Sequence, residues 1–207
     1  IMVFILRYFF VFIFLMLSTQ LKSTEMTLQE LFFDKSKPYH LKILDALPKD
    51  AILQVGPDNA ENTIIEFMDY FCGYCKKIHP ELMQLAEERD DVKVVFLHHP
   101  ILSESSNILA KMSVAASMQG KGMQFHNELF SMQGSITQKK LDEVLDKIEI
   151  NKTKLMIDIG KDEINSAIEL SSFLAKGSGA RGTPAIFINE EFVGGYIPPG
   201  KLQGLLR

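Results

Sequence analysis

Thr63-Ile64-Ile65-Glu66-Phe67-Met68-Asp69-Tyr70-Phe71 runs straight into Cys72-Gly73-Tyr74-Cys75. The first nine residues are rich in β-branched and aromatic side chains and read as a buried strand. Lys76 to Arg89 then places Ile78, Leu82, Leu85 and Ala86 on one face and Glu87 and Glu88 on the other, the pattern of a helix. Pro80 falls inside that helix and predicts a kink. Val92-Lys93-Val94-Val95-Phe96-Leu97 reads as a second strand. Strand, helix and strand in this order make a βαβ unit with a right-handed crossover.

The two cysteines sit at the junction of strand and helix, and they are the only cysteines in 207 residues. A loop this small makes a poor structural staple, because the entropy a crosslink removes from the unfolded chain grows with loop length. Reactivity explains the pair better. At a helix start, Cys72 meets free backbone N–H groups and the positive end of the macrodipole, which favour its thiolate. Cys75 lies one turn further on and can attack a mixed disulfide formed on Cys72. Cys72 is therefore read as the attacking thiolate and Cys75 as the resolving thiol. A metal reading of Cys72, Cys75 and His79 fails for want of ligands, since a closed structural zinc site needs a full tetrahedral set and there is no second cysteine pair. Neither a metal nor a cofactor is expected.

Glu66 shares a strand face with Met68 and Tyr70, and Phe67, Asp69 and Phe71 share the other. A carboxyl held near the thiols in apolar surroundings has a raised pKa and can relay the proton of Cys75. Gly182-Thr183-Pro184 precedes a terminal pair of strands. A cis bond at Pro184, which proline tolerates far better than other residues do, would leave the Thr183 backbone free to pair with an extended substrate segment. Gly73, Tyr74 and Thr183 are thus the expected substrate contacts. His40, His98, His99 and His126 read as surface or hydrogen-bonded core residues. Met112, Met118, Met123 and Met132 read as core filler, with a flexible groove for unfolded chains as the alternative.

Around this centre the chain divides into three. Residues 1–24 hold an apolar run, Met2 to Leu17, broken only by Arg7. The run is short for a membrane span and suits a secretory signal, with an uncleaved anchor as the alternative. Residues 25–50 form a polar, partly amphipathic arm with Leu28, Leu31, Phe32, Leu41, Leu44 and Leu47 near helical spacing. Residues 51–207 form the main domain. Within it, helices are expected over Ser105–Met118, Gln124–Met132, Gln138–Ile148 (capped by Thr137), Lys152–Ile159 and Asp162–Lys176, followed by strands at Ala185–Asn189 and Phe192–Val193 and a closing helix at Lys201–Leu206. The result is an α/β sandwich of mixed sheet and helices. The hydrophobic fraction of 46% and charged fraction of 23% are those of an ordinary globular protein, and a formal net charge of −4 gives no reason to expect nucleic acid or an anionic membrane surface as a partner.

Phe67 to Cys75 resembles the active-site segment of the bacterial DsbA/DsbC-type thioredoxin-like proteins. Gly182-Thr183-Pro184-Ala185 is similar to their cis-proline loop, and Gly195-Tyr196-Ile197-Pro198-Pro199 to the stretch before their last helix. Glu66 falls on the family's buried acid. The resemblance covers about residues 51 to 207 and implies a thioredoxin-like fold with an inserted helical domain at about 103–176. It also implies a periplasmic or secreted enzyme exchanging disulfides in unfolded or wrongly paired proteins, together with a membrane redox partner. Gly73-Tyr74 and the threonine before Pro184 are similar to disulfide isomerases of the DsbC type, whereas strong oxidases of the DsbA type usually carry Pro-His and valine there. The large dimerisation domain of the isomerases is absent, although some DsbA-like proteins trimerise through a short N-terminal arm, which residues 25–50 could supply. Three readings stay open: an isomerase acting as a homo-oligomer, an oxidase introducing disulfides, and a non-catalytic chaperone or binding module.

Overall fold

Asn62–Met68 (β2) is buried along its whole length, because both faces of the strand are covered. It is the middle strand of a five-stranded sheet ordered β1-β3-β2-β4-β5, in which β1 is Leu53–Val55, β3 is Val92–His98, β4 is Ala185–Ile188 and β5 is Glu191–Val193. β2 and β3 run parallel, and every other pairing is antiparallel. The computed structural model describes residues 36–198 and 200–207. The apolar run Met2–Leu17, together with Leu28, Leu31 and Phe32, lies outside the described residues, as does Pro199. Tyr39–Ala46 (α1) is assigned to a separate N-terminal unit, and the elements described below belong to the compact unit Leu47–Arg207.

The crossover between β2 and β3 is Gly73–Glu88 (α2), and it buries Cys75, Ile78, Leu82 and Leu85. These join Ile64 and Met68 of β2 and Val94 and Phe96 of β3 in the main core. Alternation along β2 puts Ile65 and Phe67 on the opposite face. Between β3 and β4 come Glu104–Ser117 (α3), Gly122–Ser131 (α4), Gln138–Lys147 (α5), Lys152–Asp158 (α6) and Asp162–Gly177 (α7), whose Leu109, Phe125, Leu141, Leu155 and Ile164 join the core of Ile64 and Phe96. Among them α7 packs against β3, and the Ser171 hydroxyl donates to the His98 carbonyl at 2.6 Å. Ser103, Thr137 and Asn151 cap α3, α5 and α6 by accepting the N–H of Ser106, Lys140 and Lys154, which satisfies donors the helices cannot pair internally. The close approach of α4 to β1 requires Gly122, where a Cβ would fall 2.9 Å from a Leu53 methyl and 2.0 Å from the Ser117 hydroxyl.

Three boundaries differ from the sequence reading. The strand ends at Met68 rather than Phe71, because Asp69 turns the chain: its main-chain carbonyl accepts the Cys72 N–H at 2.9 Å and its carboxylate accepts the Phe71 N–H at 2.9 Å. The helix that follows begins at Gly73, not Lys76, so Cys75 lies within its first turn. The expected closing helix is only a 3₁₀ turn at Gln203–Leu205. Six residues with Gly204 in their midst cannot sustain an α-helix, and the Leu205 N–H instead bonds the Leu202 carbonyl at 3.1 Å.

Candidate active site

Cys72 is the N-cap of α2, with extended backbone (φ −78°, ψ 115°). Its carbonyl accepts the Lys76 N–H at 3.0 Å, so the helix starts at the cysteine itself. Cys72 is 8% exposed and Cys75 fully buried, and both are free thiols. The two sulfurs have opposite acidities. A hydrogen bond from the Cys75 thiol pulls Cys72 down from 9.0 to about 5, opposed by partial burial and helped by Thr183 and by the backbone N–H groups of Tyr74 and Cys75. Burial, then the need to keep donating to Cys72, drives Cys75 the other way, and the nearby Glu66 carboxyl adds to that rise. At neutral pH the arrangement holds one exposed-edge thiolate and one buried thiol.

Glu66 sits in the middle of β2, paired with Phe96 on one side and Ile186 on the other. It is wholly buried, and neither carboxyl oxygen has a hydrogen-bond partner of ordinary geometry. Burial raises its pKa from 4.5 to about 8; the Cys75 thiol offsets part of this, and the Cys72 charge adds to it. An acid that titrates near neutrality beside a buried thiol can accept and return a proton.

The Thr183–Pro184 peptide is cis. The bond places the Thr183 carbonyl 3.1 Å from Cys72 Sγ, positioned to accept from the thiol form. The Thr183 hydroxyl is buried without a hydrogen bond of ordinary geometry, so its influence on Cys72 is that of a weaker contact. Thus one small volume holds Glu66, Cys72, Cys75 and Thr183-Pro184. Gly73 faces open space, with nothing within 4 Å of where a Cβ would stand. Tyr74 is 59% exposed and lies against Tyr196 with ring centroids 5.5 Å apart, while the Lys77 ammonium stands 4.7 Å over the Tyr196 ring.

A groove of about 210 Å³ opens beside the thiolate, lined by Phe71, Cys72, Gly73, Lys76, Leu129 and Ile136. Two larger depressions, about 400 and 420 Å³, lie on the helical side around Glu128 and Lys147 and contain no cysteine. Volume is a poor guide here, and the chemistry lies in the smaller groove. Met112 is buried in the core and Met118, Met123 and Met132 pack against it half-buried, so these methionines chiefly fill the interior, although Met132 also lines the depression of about 400 Å³. His40, His98, His99 and His126 are all buried rather than at the surface. His98, His99 and His126 each keep one ring nitrogen unpaired, and burial depresses the pKa of all three.

Sequence reasoning missed two parts of this site. Tyr196 stands in the sequence only as part of a motif, with no signal that it meets Tyr74. Asp69, with Glu66 one of two charged residues in the run Thr63–Phe71, lies just past the end of the strand rather than on one of its faces.

The profile of the DSBA-like thioredoxin domain family matches residues 63–207. The chain belongs to this family. A thioredoxin-like oxidoreductase from Silicibacter pomeroyi DSS-3 superposes with a TM-score of 0.71 at 28% identity, covering 76% of this chain and 91% of that one. Disulfide bond formation protein D of Bacillus subtilis is 26% identical over 151 residues, 67% of this chain and 68% of that protein. The Na(+)/H(+) antiporter NhaA of Herminiimonas arsenicoxydans is 26% identical over 134 residues, 64% of this chain and 21% of the antiporter. The chain therefore spans about a fifth of the length of that relative. The DsbA-like family consists of thiol–disulfide oxidoreductases, and residues 63–207 are a domain of that type on a thioredoxin-like α/β fold. No helix among the described residues is long and apolar enough to cross a membrane.

Proposed function

We propose that the protein catalyses thiol–disulfide exchange in periplasmic or secreted proteins, chiefly the reshuffling of wrong disulfides. The observation that carries exchange at Cys72 is geometric: Cys72 caps the start of α2 with its Sγ 3.1 Å from the Thr183 carbonyl and with Cys75 and Glu66 buried behind it, a setting that favours the Cys72 thiolate and keeps Cys75 a thiol. The Cys72 thiolate attacks one sulfur of a substrate disulfide. A Cys72–substrate disulfide forms, the substrate S–S bond breaks, and the other substrate sulfur leaves as a thiolate. In isomerisation, that thiolate attacks a second disulfide of the same chain, and a later substrate thiolate displaces Cys72, with no net change in oxidation. When the substrate stalls, Cys75 gives its proton to the Glu66 carboxylate and attacks Cys72 Sγ. A Cys72–Cys75 disulfide forms and the substrate departs as a dithiol, reduced by two electrons. Loss of the Cys72 charge in the mixed disulfide removes the smallest contribution that raises the Glu66 pKa, burial being the largest, so a greater fraction of Glu66 is ionised when Cys75 needs a base. Thr183-Pro184 places the substrate's extended backbone against Cys72.

Gly73-Tyr74 and Thr183 favour isomerisation through their likeness to isomerases of the DsbC type. One observation favours oxidation instead: stabilising the Cys72 thiolate stabilises the reduced pair, which makes its disulfide a better oxidant. An oxidase would need a membrane partner to withdraw the electrons. Refolding of a scrambled multi-disulfide protein, run beside oxidation of the same protein in reduced form, separates the two. Recovery of the scrambled form, lost on deleting residues 25–50, supports an oligomeric isomerase. Rapid oxidation without rescue supports the oxidase. Full cellular function of a Cys72→Ser variant would leave only a chaperone or binding module.

A further inference from the structure

Asp69 is almost completely buried, at 2% exposure, immediately before the redox turn. All of its acceptors are engaged by backbone. Oδ1 accepts the Phe71 N–H at 2.9 Å. Oδ2 accepts the N–H groups of Ile101 at 2.9 Å and Leu102 at 3.0 Å. Its main-chain carbonyl takes the Cys72 N–H. One carboxylate thus fastens two segments remote in sequence, the turn bearing Cys72 and the loop that leads from β3 into α3. Those N–H groups lie at the ends of elements, where no ladder or helix satisfies them, and an ionised acceptor binds them more strongly than a neutral one.

The side chains held in this way are apolar and face water. Phe71 is 41% exposed, Ile101 42% and Leu102 53%, and Phe71 also lines the groove that contains Cys72. Folding gains little from presenting them, since each leaves much of its apolar surface in contact with water. Fastening them to the turn that bears Cys72 makes sense if they meet something there, and a substrate segment bonded to Cys72 is what comes to that turn.

We propose that Asp69 is a positioning residue for substrate selection: its carboxylate clamps the 100–103 loop to the redox turn, so that Phe71, Ile101 and Leu102 form a fixed apolar ledge. The ledge favours protein disulfides whose reacting cysteine is flanked by an apolar side chain. This inference rests on thiol–disulfide exchange at Cys72.

Asparagine makes a sharp probe, because it offers one acceptor oxygen and an NH₂ group in place of two acceptors, so Asp69→Asn can serve one segment but not both. The experiment compares reduction by the full chain, with dithiothreitol restoring the Cys72–Cys75 dithiol after each turnover and its uncatalysed rate subtracted, of two peptides with the same intramolecular disulfide, one with leucine and one with glutamate beside the attacked cysteine, and of a small aromatic disulfide that reaches Cys72 without the ledge. For Asp69→Asn the expected result is a KM for the leucine peptide raised about tenfold, with kcat and the small-disulfide rate changed less than about threefold, and with the preference for leucine over glutamate largely lost. Ile101→Ser/Leu102→Ser, which keeps the carboxylate, is expected to lose the same preference, and it tests the ledge should Asp69→Asn fold poorly. Equal losses on all three substrates, or a preserved leucine preference in the double variant, would overturn the proposal. Absence of small-disulfide reactivity in the unaltered chain would instead overturn the exchange reading itself.

Discussion

The helix α2 buries two polar side chains one turn apart on the same face, Cys75 and His79, and they meet opposite environments. Cys75 faces Cys72 and the Glu66 carboxyl, groups whose charges depend on one another. His79 faces rings: Phe130 stacked at 4.8 Å, Phe96 at 5.4 Å and His126 edge-on at 4.8 Å. Around it, Tyr70 donates to the Ser113 hydroxyl at 2.9 Å, and its oxygen lies 3.2 Å from His126 Nδ1. His79 Nδ1, His98 Nε2 and His126 Nε2 remain unpaired. Burial does the same work in both places, removing water from charge, yet the thiol pair meets the groove through a reactive sulfur, whereas the imidazoles stay buried behind Tyr70, which itself lines the groove. Desolvation next to a solvent-facing thiolate tunes chemistry, whereas desolvation among rings simply keeps imidazoles neutral.

The sharpest division comes from Cys72→Ser, expected to cut disulfide exchange by at least about a thousandfold, because the nucleophile is removed, while leaving the histidine cluster intact. Insulin-reduction kinetics read this directly. For His79→Leu, exchange should stay within about twofold of the unaltered chain, and a larger loss would show that the two clusters act as one.

pH should pull stability in opposite directions through the two regions. Glu66 is raised from 4.5 to about 8. The unfolded chain loses this proton above pH 4.5 while the folded chain holds it until about 8. Its contribution is therefore fully favourable below 4.5 and is lost as pH rises through 8. At pH 7 the buried acid costs on the order of 3 kcal/mol, and Glu66→Gln should recover much of that while slowing release of a mixed disulfide by about tenfold. His79 is lowered by burial from 6.5 to about 4, and His98 from 6.5 to about 3. Their stability is present above pH 6.5 and lost as pH falls through 4 and then 3. Denaturant midpoints of the reduced protein should fall on both sides of a maximum, with Glu66→Gln flattening the alkaline side and His79→Leu the acid side. The smallest effect is expected from Tyr70→Phe, which removes one buried hydrogen bond and costs about 1 kcal/mol with no change in exchange rate.

Much of the architecture was legible because it rests on local signals. Runs rich in β-branched and aromatic residues mark β2 and β3 despite Glu66 and Lys93, period-3.6 stripes mark the helices, and Thr137 announces its cap. The places where the reading slipped are those set by contacts distant in sequence. Nothing within Thr63–Phe71 says that a carboxylate at 69 will bind the amides of 101 and 102 and so end the strand early. Likewise, His98 and His126 look ordinary one at a time, and only the packing of α4 over β3 and α2 makes them a cluster. At the site, the spacing of Cys72 and Cys75 and the Thr-Pro pair were visible in the chain. The stacking of Tyr74 on Tyr196 depends on how the loop after β5 returns to the start of α2, which no spacing encodes.

The account turns on Cys72 being the stabilised thiolate, and its pH titration in the reduced protein is the most direct test. Thiolate absorbance and iodoacetamide reactivity, followed from pH 3 to 9 in the unaltered chain and in Cys75→Ala, should show a single sulfur ionising near pH 5, shifted upward when the Cys75 thiol is removed. A sulfur that ionises only at the ordinary 9.0, or a transition unmoved by Cys75→Ala, would contradict the proposed division of labour between the two cysteines.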